Sequence, residues 1–162
     1  MEKVIDKIST YNFLNYLLPG VIFVTLAKNF ISIDFTQGDI ILDVFTYYFI
    51  GLVISRFGSL VIEKSLKRAR FVTYAEHEDF VAVSKTDPKL DILSQENNVF
   101  RTFIAMLVLL LVSKLYFYIR SLYPLLSDWD FLILIVVLLV MFLYSYRKQT
   151  LYITGRITKQ KS

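Results

Sequence analysis

The chain has 162 residues, of which 56% are apolar and 20% charged, and its formal net charge at pH 7 is +4. Soluble globular domains are about 45 to 50% apolar, so this composition and the mean hydropathy of +0.54 indicate a membrane protein. The absence of cysteine excludes disulfides, thiolate metal sites and cysteine nucleophiles. The length leaves room for about one domain, and we expect a single transmembrane helical domain over residues 1–162.

Four apolar stretches approach or exceed the roughly 18 to 20 residues that cross a bilayer. The first contains Pro19, which should kink its helix because proline removes a backbone donor and clashes with the preceding turn. The charged residues after the second stretch should continue its helix, and KLDILSQENN should lead into the third. We therefore predict an all-α polytopic membrane protein, with transmembrane helices over about residues 13–31, 40–62, 99–119 and 131–146 and a short helical connector over 63–98.

Lysine and arginine residues orient the predicted spans. Of the eighteen such residues, fourteen lie on the side of the two termini and the connector, three lie on the other side, and Arg56 lies inside the second span. The side of a membrane that is rich in Lys and Arg is cytoplasmic. We expect both termini and residues 63–98 to be cytoplasmic.

Catalytic patterns are poorly represented. The only histidine, His77, lies in the run Glu76-His77-Glu78-Asp79, and adjacent residues on a helix point in different directions, so they do not converge on one metal ion. No glycine-rich phosphate loop and no Ser, His and carboxylate motif is present. The cytoplasmic part is too small for a separate catalytic domain. We expect no enzyme activity, no metal site and no cofactor.

The second span carries small residues at helical spacing. Gly51, Ser55 and Gly58 follow one another at intervals of four and three residues, which is typical of a close-packing helix face. That face packs against another span of this chain or against a second subunit. Asp43 lies near the start of the second span, and Lys28 and Lys114 lie at about the same depth in the membrane on the first and third spans. This arrangement favours a structural ion pair or a charge at a pore mouth.

Arg56 is a charge inside an apolar run. A central arginine costs about 2.5 to 3.5 kcal/mol on insertion and each large aliphatic residue returns about 0.3 to 0.6, so the span inserts. In a regular helix Glu63 and Lys67 continue along the face of Arg56. Arg56 then reaches the interface by snorkelling or belongs to a basic vestibule. The predicted ligand residues of that vestibule are Arg56, Lys64, Lys67, Arg68 and Arg70.

Two kinds of anionic partner fit this basic cluster. Repeated around an oligomer, it would hold a nucleotide or a short single strand through its phosphates. Alternatively, the cluster is attracted to anionic lipid headgroups. Charge and position alone select these residues, and both alternatives stay open.

Four passages carry a resemblance to a known group of proteins. STYNFLNYLLPGVIF, YYFIGLVISRFGSLVIEKSLKR, YAEHEDFVAVSK and SQENNVFRTFIAM resemble small four-span bacterial membrane proteins of phage-defence operons, in particular the membrane subunits of the Hailong system. The resemblance covers about residues 9 to 110. It implies a homo-oligomeric, tetrameric, ion-conducting effector of the bacterial inner membrane, whose opening depolarises the infected cell.

The same resemblance implies a partner and a ligand. A nucleotidyltransferase would make a short DNA oligomer that binds the cytoplasmic side and holds the pore shut. The chain also resembles the membrane subunits of the Kiwa system, which work with a cytoplasmic DNA-binding partner. A membrane scaffold or transporter accessory without conduction is the alternative from another class.

Overall fold

The computed structural model describes residues 10–75, 77–84 and 86–161, and the regular structure in this part of the chain is entirely helical. Four helical segments are long and apolar enough to cross a membrane, which confirms the predicted all-α chain with four candidate spans. The helices are α1 (Thr10–Phe30), α2 (Ile40–Arg68), α3 (His77–Ser84), α4 (Lys89–Leu122) and α5 (Asp130–Lys161), with a 3₁₀ helix, Pro124–Trp129, before α5.

The helices are longer than the apolar spans that predicted them. α2 continues to Arg68, α4 begins at Lys89, and α5 continues to Lys161. Hydropathy marks only the part of a helix that lipid can cover, whereas backbone hydrogen bonds continue into charged sequence. The stretch between the third and fourth predicted spans contains the 3₁₀ helix Pro124–Trp129.

α1 is irregular close to Pro19. Residues Phe13–Leu17 are π-helical, and the Leu18 amide donates to the Phe13 carbonyl, five residues back. Pro19 follows at once and has no N–H for the Asn15 carbonyl. We predicted a kink from Pro19, and the irregularity that the structure shows there is this π-helical segment.

α2 has a defined start and a second π-helical segment. Its N-cap, Asp39, accepts hydrogen bonds from the Ile41 and Leu42 amides at 2.8 and 3.1 Å, which satisfies two of the unpaired donors of the first turn. Further along, Gly58–Ile62 is π-helical, and the Glu63 amide donates to the Gly58 carbonyl. Such single-turn segments insert one extra residue into an α-helix, so they change which residues share a face.

α1 and α2 meet at the level of their backbones. A Cβ atom on Gly20 would lie 1.8 Å from the Tyr47 carbonyl oxygen, and one on Gly51 would lie 1.7 Å from the Tyr16 carbonyl oxygen. No side chain fits at either place, because real Cβ atoms do not approach backbone oxygens so closely. Glycine therefore permits the close crossing, as it does in small-residue helix pairs.

α4 packs on this pair through side chains, and the contacts form an apolar core. Ala105 of α4 lies 3.2 Å from the position of a Cβ on Gly58. The buried core comes from all three helices and consists of Phe23, Ala27, Ile54, Ile62, Ala105, Met106 and Leu110.

The described residues divide by packing into two compact units, one up to Leu115 and one from Tyr116. In the second unit Asp130, at the start of α5, accepts a hydrogen bond from the Tyr116 hydroxyl and pairs with Arg120 at 3.0 Å. No residue in the apolar window of the fourth candidate span, within Leu125–Gly155, is buried. The single domain over residues 1–162 stays a prediction.

Candidate functional site

A polar ring lies inside the first unit. It consists of Asn15, Ser55 and Thr102, one residue from each of α1, α2 and α4, and all three are buried. Thr102 donates to the Asn15 amide oxygen at 2.7 Å, and the Asn15 amide nitrogen donates to the Ser55 hydroxyl at 3.1 Å. Buried polar groups need such partners, and here three helices supply them to one another.

The protons of the polar ring can close a cycle. The Ser55 and Thr102 hydroxyl oxygens lie 3.3 Å apart, and each hydroxyl has one proton. If Thr102 donates to Asn15, Ser55 donates to Thr102, and every member both donates and accepts. The backbone carbonyl of Asn98 lies 2.9 Å from the Thr102 hydroxyl and is a second acceptor for the Thr102 proton. The ring fixes the relative rotation of the three helices.

The predicted packing face lies against helices of the same chain. Gly51 contacts the Tyr16 backbone of α1, and Gly58 contacts Arg101 and Ala105 of α4. Ser55, between them, belongs to the polar ring. The three small residues therefore contact other helices of this chain.

Further along α2 than the polar ring, the carboxylate of Glu63 contacts two cations. Glu63 pairs with Arg101 of α4 at 2.8 Å and with Lys67 of its own helix at 3.0 Å. The side chains of Glu63 and Arg101 are only 11% and 18% exposed, so water screens this pair weakly. The Nε atom of Arg101 is buried and has no hydrogen-bond partner in the described part of the chain.

The sequence expectation for Glu63 is wrong. A regular α-helix would place Glu63 on the face of Arg56, because seven residues make about two turns. The π-helical segment Gly58–Ile62 lies between them and turns Glu63 away by about 100°. Glu63 thus meets Arg101 instead of Arg56.

Arg56 is half-buried and makes no ion pair or side-chain hydrogen bond within the described residues. The guanidinium groups of Arg56 and Arg101 both lie close enough to Tyr11, at the start of α1, to act on it electrostatically. We call this end of the first unit, where α1 begins and α2 ends, the basic end. It holds two guanidinium groups and a nearby carboxylate, Glu63.

The other predicted ligand residues form an exposed basic cluster at the same end: Lys64, Lys67, Arg68 and Arg70. Lys67 lies 4.0 Å from the centre of the Tyr74 ring, a cation–π distance. An open pocket of about 480 Å³ is lined by Lys67, Arg70, Val72, Thr73 and Tyr74. Cations and an aromatic ring in one pocket suit a phosphate-bearing ligand with a base to stack.

Arg70 ends α2 in an unusual backbone conformation. Its φ is +56°, the left-handed region that glycine prefers. The Phe71 amide donates to the Leu66 carbonyl and the Arg70 amide to the Lys67 carbonyl, both at 3.0 Å. These two bonds make a Schellman motif, with arginine at the position where glycine is usual. The motif directs the chain after α2 toward Tyr74 and the pocket.

The opposite end of the first unit has different charge pairs from those expected. Lys28 pairs with Asp34 at 2.7 Å, and Lys114 donates to the Phe30 carbonyl at the end of α1 at 2.8 Å. The Asp43 carboxylate accepts a hydrogen bond from the backbone amide of Gln37 at 2.6 Å. The anticipated pairing of Asp43 with Lys28 or Lys114 is absent from these contacts, because nearer loop and helix-end groups satisfy all three.

The pKa of the Asp34 carboxyl is lowered by its hydrogen-bond partners. The hydrogen bond from Lys28 lowers the pKa of the Asp34 carboxyl well below its usual range, and hydrogen bonds from Thr36 lower it further. Both partners favour the charged form. The loop before α2 is therefore held by an ionised carboxylate at neutral pH.

Sequence reasoning missed the partners of the polar ring and of Glu63. Asn15 and Thr102 each lie in an apolar span, and a polar side chain there is expensive unless it is paired. The cost of an unpaired polar side chain in a span therefore indicated that Asn15 and Thr102 have partners. The sequence spacing does not show that these two residues, 87 positions apart, contact each other. The π-helical segments were equally invisible, because they interrupt an α-helix without changing its apolar pattern.

Metal ligands are not gathered in the described part of the chain: no group of three or more His, Asp or Glu side chains there is placed to hold an ion. The side chains of His77 and its neighbours lie outside the described part. Comparison of the chain with protein-family models, with curated proteins and with solved structures gives no match.

Proposed function

We propose that the protein is an oligomeric membrane effector of bacterial anti-phage defence, which forms an ion channel or pore in the inner membrane. A nucleotide or short DNA oligomer gates it from the cytoplasmic side. The basic end is the cytoplasmic one in this proposal, with both termini on the same side, as the distribution of Lys and Arg indicates.

One observation carries the ligand part of the proposal. Arg56 is half-buried without an anionic partner among the described residues, and the exposed basic cluster of Lys64, Lys67, Arg68 and Arg70 lies at the same end. An ionisable residue inside a membrane span is expensive and is usually functional. An anion that binds at this end offsets a charge that the described residues leave without an anionic partner.

Two features of the first unit bear on where a conducting path lies in this proposal. α1 and α2 touch through their backbones at Gly20 and Gly51, and the polar ring closes the space between them and α4. A continuous water path between these helices would have to break both features. In this proposal the path therefore lies between protomers, which requires an oligomer, and a tetramer is the favoured state.

Ion flux from proteoliposomes tests conduction and gating together. Purified full-length protein is reconstituted, and efflux of a trapped cation is measured alone, with mononucleotides and with short single-stranded DNA. We expect efflux in the absence of DNA and its suppression by the oligomer. No efflux in any condition would overturn the channel and favour the non-conducting scaffold.

Binding of a labelled oligonucleotide tests the ligand residues separately from conduction. We expect Arg56→Ala with Lys67→Ala to weaken binding and to lower the slope of log K against log salt by about 0.7 for each phosphate that the protein no longer neutralises. Arg147→Ala, which removes an exposed cation from α5, is the matched control and should leave the slope unchanged. Equal slopes for both variants would exclude the basic end as the ligand site.

Orientation can be tested because the chain has no cysteine. A cysteine in place of Ser121 should react with an impermeant maleimide added to intact cells. One in place of Ser65 should react only after the membrane is permeabilised. The reverse result would place the basic end outside the cytoplasm and remove the proposed ligand side.

A further inference from the structure

The π-helical segment of α2 brings Glu63 onto the buried face of the helix. The buried residues of this part of α2 are Gly51, Ile54, Ser55, Gly58 and Ile62. The Glu63 side chain is nearly buried. Ser55 and Glu63 are eight residues apart, which would separate them by about 80° around a regular α-helix. The extra residue in Gly58–Ile62 reduces this difference to about 20°, so Ser55 and Glu63 both face α4.

A second register of α2 is equally well patterned. Without the π-helical segment, Ile62 would lie about 20° from Ser55 and would take the place of Glu63 opposite α4. The small and apolar positions of the helix would still form one face. Glu63 would turn away from Arg101 by about 100°. The apolar pattern accepts both registers, whereas the ion pair is possible only in the π-helical one.

The junction holds an α-helical hydrogen bond at Gly58 and a π-helical one at Glu63, which in a continuous α-helix would donate to the Ser59 carbonyl instead. The Gly58 amide donates to both the Ile54 and the Ser55 carbonyls, the i−4 and i−3 partners. Glu63 then donates five residues back, to Gly58. A change of register therefore exchanges hydrogen bonds within α2 and leaves few groups unpaired.

We propose that α2 is a two-register switch, in which the Glu63–Arg101 ion pair holds the π-helical register and its loss lets the part from Glu63 to Arg70 turn into a continuous α-helix. The polar ring and the glycine contacts hold the rest of α2 in place. The turn would carry the basic cluster around the helix axis by about 100°. The switch concerns α2 alone and stands whether or not the protein conducts ions.

Ser65 reports the register. It is exposed and lies about 180° from Ser55 in the π-helical register, but in a continuous α-helix it lies about 80° from Ser55, between Ile54 and Gly58 on the buried face. Lys64 points outward in both registers. A cysteine at position 65 should therefore become protected when the register changes, and one at position 64 should not.

The test is the rate of maleimide labelling of the full-length protein in permeabilised membranes. Ser65→Cys alone should label rapidly. With Glu63→Gln or Arg101→Gln added, the rate should fall about tenfold or more, as expected if the π-helical register becomes a minor state of 10% or less. Lys64→Cys should label at the same rate in all backgrounds.

Deletion of Leu60 is the matched control for the register. It removes the extra residue, so a regular α-helix then places Ser55 and Glu63 seven residues apart and on one face. Combined with Glu63→Gln, the deletion should restore rapid labelling of Ser65→Cys. Unchanged labelling in the Glu63→Gln background would overturn the switch. Slow labelling that the deletion does not restore would also overturn it, because the protection would then have another cause.

The link to a ligand rests on the proposed function. A phosphate that reaches Arg101 competes with Glu63 for the guanidinium, since that group binds both anions in the same fork geometry. A short single-stranded DNA oligomer should then slow the labelling of Ser65→Cys in the otherwise unchanged protein. Unchanged labelling would show that the ligand site does not control the switch, while the flux measurement decides the function independently.

Discussion

α2 and α5 are both long, apolar helices, yet they differ in what their side chains do. α2 buries three small residues, Gly51, Ser55 and Gly58, against α1 and α4. α5 reads FLILIVVLLVMFLY after Asp130, and none of the residues in its apolar window is buried. Hydropathy makes both helices candidates for a span, but it does not decide which of them packs.

The difference follows from how helices associate in lipid. Lipid tails are as apolar as leucine, so large aliphatic side chains gain little by leaving them. Small residues let backbones approach, and polar residues find partners across helices. α2 has both kinds of residue on one face, whereas the aliphatic run of α5 has neither.

Gly51→Leu should have the largest effect. The new side chain begins 1.7 Å from the Tyr16 carbonyl oxygen, so the two backbones must separate, and we expect a decrease of about 3 kcal/mol or more in the free energy of unfolding. Reversible unfolding in detergent–lipid mixtures measures it. Gly155→Leu, with no atom within 4 Å of its Cβ position, should cause no loss and should stabilise α5 by up to about 1 kcal/mol, because glycine is a poor helix former. Equal effects would mean that backbone contact does not distinguish α2 from α5.

Thr102→Val should have the next largest effect. Thr102 is fully buried and donates to Asn15, so its replacement leaves the amide oxygen without its partner and should cost about 1 to 2 kcal/mol. Thr150→Val makes the same change on α5, where the residue is exposed and its hydroxyl donates to the Tyr146 carbonyl of its own helix. It should stay within about 0.5 kcal/mol. Similar decreases at both sites would show that the polar ring adds no stability.

Arg70→Gly should stabilise the protein. Arg70 occupies the left-handed region, which costs a residue with a side chain about 1 kcal/mol, and glycine removes that cost at the end of α2. Arg68→Gly, two residues earlier and inside the helix, should destabilise by up to about 1 kcal/mol. The same unfolding measurement gives opposite signs, and equal signs would contradict the Schellman motif.

Asp34→Asn should have the smallest effect on the free energy of unfolding. The pH dependence of that free energy shows whether Asp34 pairs with Lys28. The folded-state pKa of Asp34 is lowered, chiefly by the hydrogen bond from Lys28, so its contribution is full above the ordinary carboxyl pKa of 3.8 and is lost as the pH falls toward the lower folded value. The unchanged protein should lose stability in this acid range more steeply than the variant. Parallel pH profiles would show that the pair with Lys28 is not formed in solution.

Much of the helical layout followed from the sequence. The four apolar stretches, the continuation of α2 and the helical lead into α4 were predictable, because hydrophobic length and helix-forming residues act locally along the chain. The small residues of α2 likewise indicated a packing face. These features need no knowledge of which helix is the neighbour.

Only the tertiary structure decided which groups meet. A regular helix put Glu63 beside Arg56, and the π-helical segment Gly58–Ile62 put it beside Arg101 instead. The polar ring joins Asn15 to Thr102, which no spacing rule relates. Partners of this kind depend on the rotation of one helix against another, and one inserted residue changes that rotation by about 100° without changing the apolar pattern.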